Sequence, residues 1–166
     1  MSEPQLPPLL RADRLHGRTA PLERACAMAV AGTDAGIVPF NISDEAFRAA
    51  ILFAPEVPLE DAMAMLPACG LGFQNALGSL APPEVAVHLE WTGEIRVNGA
   101  RCGKLSVAAS NMDADVEPDW LAVGIDVTLR YPQGSPGDNP NYTALMEEGC
   151  AEVDPTLLLE AWARHT

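Results

Sequence analysis

The chain has 166 residues, 48% of them hydrophobic and 20% charged, which suits one domain with a sizeable core and excludes wholesale disorder. Asp and Glu number 23 against 10 Lys and Arg, a net charge of -13 that argues against nucleic acid and anionic membrane surfaces as partners. Cys26, Cys69, Cys102 and Cys150 are widely spaced with no Cys/His cluster, and no stretch suits a signal peptide or a bilayer span, so free thiols in a reducing cytoplasm are expected and structural zinc is not.

Residues 1 to 20 are rich in proline and read as an extended arm; residues 21 to 166 read as a single domain. Residues 21 to 31 predict a helix, with Pro21 in its first turn, Glu23 at the positive end of its dipole and Gly32 as its stop. Two strands are expected next, over 36 to 42 and 47 to 54, with Pro39 pushing the first towards a sheet edge. Apolar spacing over 59 to 79 predicts a helix, kinked or broken at Pro67 and Gly70.

The pattern then turns to strands. Residues 85 to 91 read as one, and Asn98-Gly99 suits a two-residue turn between residues 94 to 97 and 100 to 110. Residues 120 to 129 read as a further strand and 132 to 141 as a loop. Asp154 then caps a terminal helix that starts at Pro155 and ends with Arg164 and His165. The expected fold class is α+β: a mixed, largely antiparallel sheet flanked by helices.

The hairpin is the most informative segment. A two-residue turn in regular register places Glu94, Arg96 and Arg101 on one face, and Ile95, Val97, Ala100, Cys102 and Lys104 on the other. The charged face reads either as an anion site or as a solvated surface. Cys102 reads as a buried thiol, Cys26 and Cys69 as core, and Cys150 as a loop thiol, reactive if exposed. Trp91 and Trp120 are expected to pack the sheet. His16 and His88 have no partner motif.

The run HLEWTGEIRVNGARCGKLSV followed by WLAVGIDVTL resembles the catalytic core of biotin and lipoate protein ligases over roughly residues 20 to 130. In that family a Lys-Trp-Pro-Asn-Asp strand precedes a hairpin with a catalytic lysine, an Ala-Gly pair and a Gly-Ile-Asn strand. The corresponding residues here are Glu90 to Glu94, then Arg101, then Gly103-Lys104, then Gly124-Ile125-Asp126. The resemblance implies the fold shared with class II tRNA synthetases. It also implies adenylation of a biotin- or lipoate-like acid with ATP and Mg²⁺, then transfer to a lysine of a carrier protein. By position, Arg101 and Glu94 fall at the catalytic sites, Glu94 also at the metal, and Trp91, Gly93, Gly103, Lys104, Gly124 and Asp126 around the ligand.

The departures are electrostatic. The family's Gly- and Arg-rich loop between its first two strands is replaced by residues 41 to 46, which hold no Arg or Gly and two carboxylates. Glu90 reverses a lysine, Arg101 cannot serve as a proton-transferring amine, and Asp126 adds negative charge. Cations are lost where a triphosphate would sit, and phosphoryl chemistry depends on them. Two readings follow: a divergent ligase, or a non-catalytic relative that binds a small acid or a protein partner. A homodimer through a sheet edge and a further C-terminal domain are also expectations.

Overall fold

In the computed structural model, which describes residues 2 to 131 and 140 to 166, seven strands form one sheet. In chain order the elements are β1 (Arg11–Arg14), α1 (Pro21–Val30), β2 (Ile37–Ile42), β3 (Ala46–Phe53), α2 (Leu59–Ala62), α3 (Met65–Leu80), β4 (Val87–Leu89), β5 (Glu94–Val97), β6 (Ala100–Ala109), β7 (Leu121–Thr128) and α4 (Pro155–His165). The strand order is β1-β2-β3-β7-β6-β5-β4. Every pair is antiparallel except β1 with β2, so the sheet is mixed and largely antiparallel, as expected.

Alternation along the strands divides the molecule into two unequal halves. Phe47, Ala49 and Ile51 of β3 join Leu121, Val123, Ile125 and Val127 of β7 on one face, under α3 and α4. Trp162 of α4 sits at the centre of this core, fully buried. Its indole Nε1 donates to the Cys69 carbonyl at 3.0 Å, and its ring meets Phe47 edge-on. The opposite face is thinner. Ala50, Leu52 and Ala122 pack there against Ala25, Leu22 and Cys26 of α1, with Trp120 at the margin. These small residues let the helix lie close to the sheet.

Three local expectations are met for the physical reasons given above. The Asp154 side chain accepts from the Thr156 and Leu157 amides and caps α4. Asn98 and Gly99 both have positive φ, 51° and 90°, as a type I′ turn requires. Residues 47 to 53 of the expected strand, despite their alanines, are extended within β3.

Others are corrected. The helix break lies between Ala62 and Met65, not at Pro67 or Gly70. Pro67 falls in the first turn of α3, where its missing amide has no partner to lose. Pro39 does not place β2 at an edge, because the segment Arg11–Arg14 pairs in parallel with β2 and takes that position. The ladder of β2 with β3 starts at Phe40, past the proline. The strand expected over 85 to 91 shrinks to Val87–Leu89. Trp91 lies in the turn that follows and, far from packing the sheet, is fully exposed. The loop expected over 132 to 141 lies mostly outside the described residues.

Candidate functional site

A β-bulge decides what the hairpin presents. Val97 pairs with Ala100 and Arg96 with Arg101, but Ile95 then pairs with Gly103 and Glu94 with Lys104. One extra residue has entered β6 at Cys102, and the parity of everything beyond it is inverted. Cys102 and Leu105 therefore face the core, while Lys104 joins Glu94, Arg96 and Arg101 on the α1 side. The expectation that Cys102 and Lys104 share a face is corrected by this insertion. Gly103 makes it possible: a side chain there would collide with the Asp126 carbonyl of β7.

A polar row crosses the sheet as a consequence. Asn41, Arg48, Asp126, Lys104 and Glu94 are successive cross-strand partners on β2, β3, β7, β6 and β5. Directly opposed residues share a face, so these side chains lie on the α1 side of the sheet. Arg48 Nε lies 3.3 Å from an Asp126 carboxylate oxygen. Glu94 offsets the opposed arginines, with one oxygen 3.2 Å from Arg96 and the other 3.3 Å from Arg101. Arg96 also reaches Glu90 at 2.9 Å, and the Arg101 guanidinium lies over the Tyr142 ring. Lys104, the chain's one lysine, is exposed and makes no ion pair among the described residues.

Two cavities meet at this row. The first, of about 200 Å³, lies between the start of α1 (Ala20 to Leu22) and the sheet residues Arg48, Lys104, Gly124 and Asp126. No side chain caps α1, and Glu23 in its first turn already brings a carboxylate to the positive end of the dipole. The second, of about 470 Å³, shares Lys104 and Asp126 and extends to Arg101, Tyr131, Tyr142 and Thr143. Tyr131 is kept protonated by partial burial first, then by Cys102, Glu147 and Glu148. Burial pushes the Cys102 thiol up to about 12, with Cys150 and Glu148 adding to the effect, so Cys102 is inert. Cys150 is itself buried and its pKa raised, chiefly by desolvation; it is not an exposed loop thiol.

The structure thus brings together Glu94, Arg101, Gly103, Lys104, Gly124 and Asp126. It leaves Trp91 and Gly93 apart. They border a separate groove with Met63, Leu66 and the core-facing Leu105, on the α3 side. Sequence reasoning missed Arg48, Leu22 and the two tyrosines. Arg48 was readable, since it alternates with Phe47 and Ala49 in a strand correctly predicted. Tyr142 was not, because its bridge to Arg101 follows from the chain's return after β7.

A model of the biotin/lipoate A/B protein ligase family matches residues 6–166. A comparison with curated proteins finds no match. A biotin protein ligase-like protein of unknown function from a Silicibacter species is 54% identical with a TM-score of 0.91, covering 98% of this chain and 70% of that one. A biotin protein ligase from Aquifex aeolicus in complex with biotin and ATP has a TM-score of 0.67 at 15% identity, over 93% of this chain and 67% of that one. A candidate lipoate protein ligase from T. acidophilum with bound lipoic acid has a TM-score of 0.63 at 10% identity, over 94% and 84%. These last two likenesses are of fold.

Proposed function

The chain belongs to the biotin/lipoate A/B protein ligase family, and from that premise we propose that it binds a small monocarboxylic acid in the cavity beneath α1 and does not adenylate it. Lys104 meets the carboxylate, in a cavity that the start of α1 also lines. Charge carries this reading. Around the polar row, Arg48, Arg96, Arg101 and Lys104 stand against Asp126, Glu90 and Glu94, which leaves one positive charge, and Lys104 is the cation of this group outside the ion pairs among the described residues. One carboxylate matches that charge.

A magnesium-bound triphosphate does not fit these residues. Both oxygens of Glu94 are engaged by arginines, so the carboxylate that the resemblance puts at the metal is occupied. The turn from β2 to β3 is residues 43 to 45, where Asp44 and Glu45 bring negative charge and no cation. Electrostatic stabilisation of a phosphoryl or adenylyl group has no donor there.

The test is a thermal-shift series with biotin, lipoate, octanoate and hexanoate, each with and without Mg-ATP. A ligand that binds the native state raises Tm. At least one acid is expected to do so, to the same extent with Mg-ATP present. Lys104→Met is expected to weaken that binding by about tenfold or more, as for loss of a hydrogen bond to a charged group. Formation of an acyl-adenylate, or no shift with any acid, defeats the proposal.

A further inference from the structure

The α1 cavity runs from the polar row of Arg48, Asp126 and Lys104 to Gly124 and Ser106, with Leu22 beside it. One strand repeat further along lie Gly124, Ser106 and Ala50, about 7 Å away for two residues of antiparallel strand. Leu22 closes the space at that level. A Cβ built on Gly124 would lie 3.0 Å from the Leu22 Cβ and 3.4 Å from its Cδ2. Beyond Leu22 there is no room: Ala25, Ala50 and Ala122 are packed without exposure.

The volume agrees. The cavity volume is about 200 Å³. That is well below the usual span of about 300–1,000 Å³ for small-molecule sites. We infer that Leu22, seated on Gly124, acts as a stop, and that the site takes short, unbranched aliphatic acids up to about the length of hexanoate while excluding longer chains. This rests on the acid-binding reading above and names the class of acid.

Calorimetric titration with butyrate, hexanoate, octanoate and decanoate tests it on the full chain. Each methylene that becomes buried adds about fourfold in affinity. In the native sequence, affinity is expected to climb at that step from butyrate to hexanoate and to fall at octanoate. Leu22→Ala removes the stop, so the climb is expected to continue through octanoate. Gly124→Ala pushes a methyl against Leu22 and is expected to move the break down, so that hexanoate loses its advantage over butyrate. The two variants act in opposite directions, which general loss of structure cannot imitate. An unbroken climb through decanoate in the native sequence, or a break that neither variant moves, overturns the stop and leaves acid binding standing. Binding of no acid overturns both.

Discussion

Lys104 owes its position to a single inserted residue. Without the bulge at Cys102 it would point into the core beneath α3, where an unpaired ammonium is costly to bury. With the bulge it stands exposed beside Asp126, and the small thiol takes the buried place. The thiols then carry their own consequence. Burial pushes both Cys69 and Cys102 up to about 12 from 9.0. Above pH 9 the unfolded chain releases these protons and the folded chain keeps them. The unfolded state therefore binds fewer protons, and stability falls as pH rises. It is fully present below pH 9 and declines towards 12 at roughly 1.4 kcal/mol per pH unit for each thiol. Urea unfolding at pH 8, 9 and 10 checks this. Cys102→Ala is expected to remove part of the thiol-dependent slope, which Cys69, Cys150 and Cys26 share, and an unchanged slope would show that the thiol ionises equally in both states.

Among the elements, the hairpin β5–β6 was half legible. Its turn could be read from Asn98-Gly99, and the opposed Arg96 and Arg101 with Glu94 between them follow from regular alternation. The bulge could not be read, because nothing in Arg101-Cys102-Gly103 declares which residue is supernumerary until β7 packs alongside. The same holds for β1: its four residues, Arg11–Arg14, have no strand pattern of their own, and parallel pairing with β2 supplies their structure. Trp91 misled for the converse reason: it was expected to pack the sheet, but the chain turns there and leaves the ring exposed at the border of the α3-side groove. A direct test of the bulge is Gly103→Ala. Its new methyl would meet the Asp126 carbonyl, and overpacking of this kind costs about 1–3 kcal/mol. Because relief requires β6 to shift against β7, acid binding at Lys104 is expected to be lost along with the stability. Urea unfolding and calorimetry on the same variant would show whether the two losses travel together; intact binding in a destabilised protein would mean that the bulge does not hold the lysine.

The whole molecule places its stability and its binding on opposite sides of one sheet. The large buried side chains, Trp162, Phe47, Phe73 and Leu158 among them, lie in the core under α3 and α4. The α1 side holds smaller residues, Ala50, Leu52 and Ala122 among them, beneath a ten-residue helix, with a polar row where the helix begins. Loss of side-chain volume should therefore have different effects on the two sides. Trp162→Ala removes the hub that joins α4 to Cys69 and Phe47, and large-to-small changes at such aromatic sites cost about 3–5 kcal/mol. Leu22, only partly buried, has far less to lose, and Leu22→Ala is expected to cost under about 2 kcal/mol. Urea midpoints for the two variants, with m unchanged, measure both costs. If the division holds, Trp162→Ala lowers the midpoint strongly yet binds hexanoate with native affinity at urea-free conditions where it remains folded. Leu22→Ala keeps its midpoint near the native value and alters which acid binds. Equal midpoints for the two, or hexanoate affinity lost with Trp162, would mean that the two faces are coupled through the strands and that the site draws its geometry from the core.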